Sequence, residues 1–313
     1  MATFGYRSTA DEVLANIDLG GKRAIVTGGY SGLGEETARA LASAGAEVTI
    51  ACRDLPRAEA TAQALNDGLG ASRVTAGALD LSDLDSVQRF AADWSAAHDA
   101  LHLLINNAAV MACPLSHTKA GHEMQIGTNH FGHFALFQGL RERLAAAQGA
   151  RVVCLSSTGH FLSDLHLNDL HYAQREYEPW QAYGQSKTAN ALMAVGIQRQ
   201  HASDGIEGFA VHPGGIMTSL QRHMDRSEII ARGWMDEAGN INELFKTVPQ
   251  GASTTCWAAT APELSGRGGQ YLENCSETPV ITAPTPDFTG VMAYAVDPDA
   301  ADALWAHSLE QIA

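Results

Sequence analysis

Arg23-Ala-Ile-Val-Thr-Gly-Gly-Tyr-Ser-Gly-Leu-Gly34 decides how this chain is read. Residues 23–27 form a short apolar run suited to a strand buried on both faces of a parallel sheet. Four glycines, Gly28, Gly29, Gly32 and Gly34, then crowd a turn, and a helical pattern follows from about Glu35 to Ala44. A glycine-rich turn between a first strand and its helix lets the backbone approach a pyrophosphate, which the helix N-terminus stabilises. A plain tight turn also uses glycine, and the spacing here, Gly28-x3-Gly32-x-Gly34, is not G-x-G-x-x-G. Its place directly after an apolar strand favours the cofactor loop.

Working outward, apolar strands and amphipathic helices alternate. Ala46 to Ala51 reads as a second strand and Leu55 to Leu65 as a second helix. Further strands fall near Arg73 to Ala78, Leu101 to Ile105, Ala150 to Leu155 and Ile206 to Val211, with helices around Leu84 to Ala97, Gly121 to Ala147 and 182–201. Residues 1–21 form an arm in which Ser8-Thr9-Ala10-Asp11 caps a short helix to Asn16. Strict alternation predicts an α/β fold, a doubly wound Rossmann arrangement with helices on both faces of a parallel sheet. No linker, internal repeat or low-complexity tract interrupts it, so residues 1–313 read as a single domain.

Apolar residues make up 45% of the chain and charged ones 18%, enough for a sizeable core. The formal net charge of −15 argues against nucleic acid or an anionic membrane as partner. No run of about 18 apolar residues occurs, and the polar start from Met1 to Asp11 lacks a signal-peptide core. A cytoplasmic protein without a membrane span is therefore expected. Cysteines 52, 113, 154, 256 and 275 are dispersed and form no C-x-x-C pair, so they read as reduced thiols.

Two positions carry chemistry on their own. At the end of the second strand, 19 residues past Gly34, a ribose-binding carboxylate would mark NAD, but the chain offers Cys52-Arg53. A guanidinium there suits the 2′-phosphate of NADP, while the adjacent Asp54 keeps NAD open. Downstream, Tyr183-Gly-Gln-Ser-Lys187 reads as the first turn of the helix at 182–201. Residues four apart share a helical face, so the Tyr183 phenol and the Lys187 ammonium point the same way. A neighbouring cation lowers a phenol from about 10 toward working pH and makes it a general acid or base. An ordinary surface Tyr/Lys pair has the same spacing.

Together these motifs resemble the short-chain dehydrogenase/reductase family, and within it the branch of retinol dehydrogenases, protochlorophyllide reductases and WW-domain oxidoreductases. The likeness runs from Asp18-Leu-Gly-Gly-Lys22 to about Gly269-Gly-Gln-Tyr-Leu272. Thr27-Gly-Gly-Tyr-Ser-Gly-Leu-Gly34 matches the TGxxxGxG loop, which implies cofactor contacts at Gly28, Tyr30, Ser31, Gly32, Leu33 and Gly34. Ala51-Cys-Arg-Asp54 matches the branch's second-strand ending, with Arg53 at its tip, and Asp80 and Leu81 match the pair that flanks the adenine. Asn107, Ala108 and Ala109 match the NNAG motif, with alanine for its glycine. Pro213, Gly214, Ile216 and Thr218 match the family's PG turn.

The resemblance also implies a catalytic set. Asn129 holds a helix kink and a relay water, and Ser157 of the pair Ser156-Ser157 binds the substrate oxygen. Tyr183 exchanges the proton, and Lys187 holds the nicotinamide ribose while acidifying the phenol. His160, beside the serines, is the alternative proton source. A homodimer or homotetramer is expected through the helices bearing Asn129 and Lys187. Their apolar residues (Phe131, Phe134, Leu136, Phe137; Leu192, Met193, Val195, Ile197) exceed one stripe and suit burial on two sides.

Ser157 precedes Tyr183 by 26 residues, more than in compact members of the family, which places an insertion at about 159–181. A second excursion at about 216–248 carries Met217, Leu220, Met224, Ile229, Ile230, Trp234, Met235, Leu244 and Phe245. It reads either as an apolar lid over a lipophilic substrate or as helices packed on the core. Histidines number 13, among them His117, His122, His130 and His133, but zinc needs three or four converging ligands, and no metal is expected. Two functions remain. One is an NADP(H)-dependent oxidoreductase, with NAD as alternative, acting on a lipophilic alcohol, ketone or aldehyde of retinoid, steroid, aromatic or polyketide type. The other is a non-catalytic nucleotide-binding regulator of the same fold. Asn129, Ser157, Tyr183 and Lys187 together favour the enzyme, because a sensor needs no proton donor.

Overall fold

Strand β1 (Arg23–Thr27) runs through the middle of the sheet, with Ala24, Ile25 and Val26 buried between two layers of helices. A computed structural model describes residues 4–313, and residues 1–3 of the arm lie outside the described residues. The rest of the arm is folded: Thr9 caps α1 (Ala10–Leu14) in a reciprocal box with Glu12, and Val13, Leu14 and Leu19 are buried. The chain then alternates through α2 (Gly32–Ser43), β2 (Glu47–Cys52), α3 (Leu55–Leu69), β3 (Val74–Ala78), α4 (Leu84–Ala97) and β4 (Leu103–Asn106). Next come α5 (Met124–Ile126), a π-helical turn (Gly127–Phe131), α6 (Gly132–Ala146), β5 (Ala150–Leu155), α7 (Pro179–His201) and β6 (Ile206–His212). The last part holds α8 (Arg226–Ala231), α9 (Val248–Thr260), β7 (Tyr271–Glu273), β8 (Ser276–Glu277), β9 (Val280–Ile281), β10 (Val291–Met292) and α10 (Pro298–Gln311).

The main sheet has the order β3-β2-β1-β4-β5-β6-β7-β8, parallel except for the final β7/β8 pair. The order reverses between β1 and β4, and at that switch point the carboxyl ends of the strands open a crevice. Alternation along β1 builds both cores: Ala24 and Val26 pack with Leu41 of α2 and Trp257 of α9, whereas Ile25 faces Phe134 and Phe137 of α6.

Two boundaries differ from the sequence reading. Helix α2 starts at Gly32 rather than Glu35, because glycines hide its first turn from a propensity argument. The helix expected from Gly121 starts at Met124: Gly121 has φ +88°, and the Glu123 carboxylate caps the new start by accepting from the N–H groups of Gln125 and Ile126.

The C-terminal helix accounts for part of the apolar surplus on α6 and α7. Trp305 of α10 stands edge-on to Phe134 at 4.9 Å and to Phe137 at 5.8 Å. It also fills the space at Gly196 of α7, where a Cβ would come within 2.6 Å of the indole. The apolar residues that seemed to ask for a partner subunit are thus buried within one chain, beneath its own α10. Trp305→Ala should cost about 3–5 kcal/mol of unfolding free energy in a urea titration. Truncation before Asp297 should bare that face and raise the mass seen by light scattering; a folded truncate of unchanged subunit number would show that α10 is not needed as a cover.

Candidate active site

Helix α7 carries the Tyr183/Lys187 pair. Pro179 occupies its first position, and the Glu178 carboxylate caps it by accepting from the Trp180 N–H at 3.1 Å and the Gln181 N–H at 2.7 Å. Tyr183 therefore lies in the second turn, not the first as the sequence reading had it, and the four-residue spacing to Lys187 keeps both on one face. Both are buried, at 4% and 3% exposure. Lys187 Nζ donates to the Leu155 carbonyl at 3.0 Å and sits 5.5 Å from the centre of the phenol ring.

The electrostatics correct the expected acidification. Burial pushes the Tyr183 phenol up to about 12, opposed by a hydrogen bond with Ser157, and burial pushes the Lys187 ammonium down to about 8. Desolvation of each group outweighs the attraction expected between them. The phenol is consequently protonated at neutral pH.

Ser157 closes β5 and opens a 3₁₀ turn, where its Oγ accepts from the Gly159 N–H at 3.0 Å. Gly159 lies against the phenol: a Cβ there would come within 2.8 Å of the Tyr183 ring. Asn129 sits in the π turn. Its side chain accepts from the Val110 N–H and donates to the Val110 carbonyl and to Ser186 Oγ, each at 2.9 Å. Ser186 Oγ in turn donates to the Tyr183 carbonyl at 2.8 Å. Asn129 is thus joined to the catalytic face of α7 through Ser186. His160 is a brace rather than a proton source. Its Nδ1 donates to the Ser157 carbonyl at 2.7 Å, its Nε2 accepts from the Met292 N–H at 3.1 Å, and burial holds it at about 4.

The dinucleotide turn lies at the switch point. A Cβ on Gly34 would strike the Gly28 carbonyl, and Gly32, at φ +56°, faces the Thr218 methyl. Ser31 precedes α2 without a side-chain cap, so the first N–H groups of that helix are open toward the turn. Leu33 and Ile216 meet over Gly251, which holds the Pro213–Thr218 turn against α2. Thr218 Oγ1 caps the next 3₁₀ turn by accepting from the Leu220 N–H at 3.2 Å. The Lys246 stem crosses Gly214, which takes φ +103°. Asn107 Nδ2 donates to the Thr27 carbonyl at 2.7 Å, and Ala108 N–H donates to Thr27 Oγ1 at 3.0 Å. Ala109 keeps φ out of the left-handed region, so alanine fits where the family has glycine.

At the adenosine end, Asp80 folds its carboxylate onto Ser82, accepting from Ser82 Oγ at 2.6 Å, and Leu81 is buried beneath Gly132. Arg53, one residue past the end of β2, is exposed. Asp54 caps α3, accepting from the Arg57 N–H at 3.2 Å. The Arg57 guanidinium lies 4.8 Å over the Tyr30 ring, a second cation the sequence reading passed over.

Residues 216–248 split between the two readings. Met111 and Met224 pack on Tyr183, joined by Trp180, Leu220, Ile229 and Trp234, in a cluster separate from both sheet cores. Leu244, at 72% exposure, stays outside it. Trp180 Nε1 donates to Glu228 at 2.8 Å, and Arg232 stacks 3.8 Å over the same indole while pairing with Glu228 at 3.0 Å. Among the described residues no group of three His, Cys, Asp or Glu converges as metal ligands. His130 is hydrogen-bonded to Ser308 and His133 to Thr27. All five cysteines are free and buried, and among the described residues no helix is long and apolar enough to cross a membrane.

Comparison with known proteins agrees with this geometry. The family model described as short chain dehydrogenase matches residues 22–229. A Streptomyces antibioticus protein named "Probable oxidoreductase" is 47% identical over 300 residues, covering 95% of this chain and 99% of the relative. Mouse retinol dehydrogenase 12 is 39% identical over 260 residues, covering 83% and 80%. A crystal structure of an uncharacterised Mycobacterium paratuberculosis protein superposes with TM-score 0.73 at 33% identity, covering 98% and 97%. The Pseudomonas aeruginosa RhlG/NADP complex shares the fold at TM-score 0.63 and 24% identity, over 82% of this chain and 95% of that one. The chain belongs to the short-chain dehydrogenase/reductase family, in its retinol dehydrogenase-like branch.

Proposed function

We propose that this NAD(P)-dependent oxidoreductase prefers NADP(H) and interconverts an alcohol and a carbonyl on a bulky lipophilic substrate. The observation that carries the reading is the buried phenol of Tyr183, beside Ser157 across Gly159, one helical turn from the buried Lys187 and covered by an apolar cluster. A regulator without chemistry has no use for such a phenol.

The residues fit the cofactor. The turn from Gly28 to Gly34 leaves room for a diphosphate at the open N-terminus of α2, with Thr218 across from it. An ammonium has three N–H donors, and Lys187 gives one to Leu155, so two are available to ribose hydroxyls. Arg53 just past the end of β2 and Arg57 over Tyr30 supply positive charge where a 2′-phosphate would be recognised. When bound, the nicotinamide supplies or takes the hydride. The protein does the rest. Ser157 Oγ holds the substrate oxygen, and Tyr183 Oη gives that oxygen its proton in reduction and removes it in oxidation. Met111, Met224 and Trp180 exclude water from the same chamber.

Three measurements test this. On a panel of aldehydes, ketones and sterols read by reduced-nicotinamide absorbance, Tyr183→Phe should lower kcat by about 10²–10⁴ while cofactor binding survives. Near-normal turnover would sink the assignment. Arg53→Ala should weaken NADP by about 1.5–3 kcal/mol and NAD much less; equal losses would remove the preference. The third concerns pH. Lys187, held at about 8, is charged below that value and neutral above it, while Tyr183 stays protonated throughout. Reduction, followed as kcat/KM for the cofactor, should therefore fall as pH rises through about 8. Lys187→Met should lose that limb of the profile along with cofactor affinity.

A further inference from the structure

The dinucleotide turn and α7 stand on different elements, yet one buried line of hydrogen bonds joins them through a side chain the mechanism has not used. His133, in the first turn of α6, is 1% exposed. Its Nδ1 lies 2.9 Å from the Asn129 carbonyl oxygen and its Nε2 2.8 Å from Thr27 Oγ1. A carbonyl only accepts, so Nδ1 carries the proton; Nε2 then accepts from the Thr27 hydroxyl, whose other acceptor in reach, the Ile105 carbonyl, is more distant at 3.3 Å. Thr27 Oγ1 accepts in turn from the N–H groups of Asn107 at 2.9 Å and Ala108 at 3.0 Å, which fills both its lone pairs. At the other end Asn129 Nδ2 donates to Ser186 Oγ, and Ser186 donates to the Tyr183 carbonyl. Donors and acceptors alternate along the line without a mismatch. Burial, with a smaller push from the Lys187 ammonium, holds the imidazole at about 4 and therefore neutral at working pH. A second proton, on Nε2, would aim a donor at a hydroxyl whose lone pairs are already taken.

We propose that His133 is a positioning residue: as the neutral Nδ1–H tautomer, it locks the carboxyl ends of β1 and β4, where the dinucleotide turn is built, to the π turn that sets Asn129 and the catalytic face of α7. The inference rests on the function proposed above. Its consequence is that cofactor affinity depends on a side chain lying behind the turn rather than in it.

Histidine-labelled ¹⁵N NMR of the wild-type enzyme reads the tautomer directly, with the His133 signals identified by their loss in His133→Gln. A ring protonated at Nε2, or at both nitrogens, at neutral pH overturns the proposal, and that result needs no variant to fold. His133→Phe keeps a planar ring and removes both hydrogen bonds. Its dissociation constants for NADPH and NADH, read by nicotinamide fluorescence, should rise at least about fivefold. His133→Gln, which retains a donor and an acceptor, should recover most of that loss. A purely structural role would lower the melting temperature of the Phe variant without this rescue of affinity. A folded Phe variant that binds NADPH and NADH as tightly as wild type overturns the proposal. Failure of the wild type to bind NADPH or NADH would instead sink the functional reading, while the tautomer would still be read.

Discussion

The desolvation of Lys187 is the constraint on which the rest of the site depends. Its ammonium is 3% exposed and has the Leu155 carbonyl as a partner, a carbonyl that also accepts from Asn190 Nδ2 at 2.9 Å. A buried charge with unfilled donors is costly, and the lowered lysine pKa records that cost. What tolerates it is the rigidity of the frame: the end of β5 fixes Leu155, Ser156 Oγ ties the Lys187 backbone carbonyl at 2.8 Å, and Ser186 ties α7 to the π turn. Ribose hydroxyls would fill the remaining donors, so the site is arranged to gain most when cofactor arrives.

That constraint also explains why Tyr183 runs opposite to the simple two-body argument. A cation one helical turn away lowers a phenol when the medium between them is favourable to charge. Here both groups have left water, and Lys187 turns its ammonium toward a backbone carbonyl rather than toward the phenol oxygen. The protein thus presents a proton donor at neutral pH.

Much of this was legible beforehand because it is local. The run Arg23 to Thr27, the crowded glycines after it and the alternation of short apolar runs with amphipathic stretches identify strands, turn and doubly wound order from nearest-neighbour chemistry. The four residues read as catalytic do gather around one place, although Asn129 arrives through Ser186 rather than by direct contact. What stayed hidden is non-local. Nothing in the sequence of α6 says that its spare apolar face is covered by Trp305, some 170 residues on, because a helix stripe does not name its partner. Arg57 over Tyr30 and His133 on Thr27 are likewise contacts between elements, invisible to spacing. Thr27 did carry a signal: a hydroxyl at the end of a buried strand must find partners, and here it finds four.

Substrate access follows from the same packing. Tyr183 is 4% exposed with Met111 and Met224 against it, so on the function proposed here a substrate reaches the phenol by displacing the 216–248 segment. Its far end is tied to the arm, where Arg7 donates to the carbonyls of Glu243 at 2.6 Å and Phe245 at 3.1 Å, and its near end meets Trp180. The Glu228/Arg232 pair is about one-third exposed on each side, and such pairs contribute about 0–1 kcal/mol. The stacking of Arg232 on Trp180 adds about 0.5–1 kcal/mol at an exposed site, and the indole N–H bond to Glu228 is of similar size. The contacts at Trp180 amount to a latch of about a few kcal/mol, the size that on the function proposed here would let the segment open on the microsecond-to-millisecond scale of loop motion. Its pivot is Trp180, which stands edge-on to Tyr183 at 6.0 Å and to Trp234 at 5.9 Å. Movement of the segment as a lid would therefore remove the wall beside Tyr183 in the same step, and its return would restore that wall.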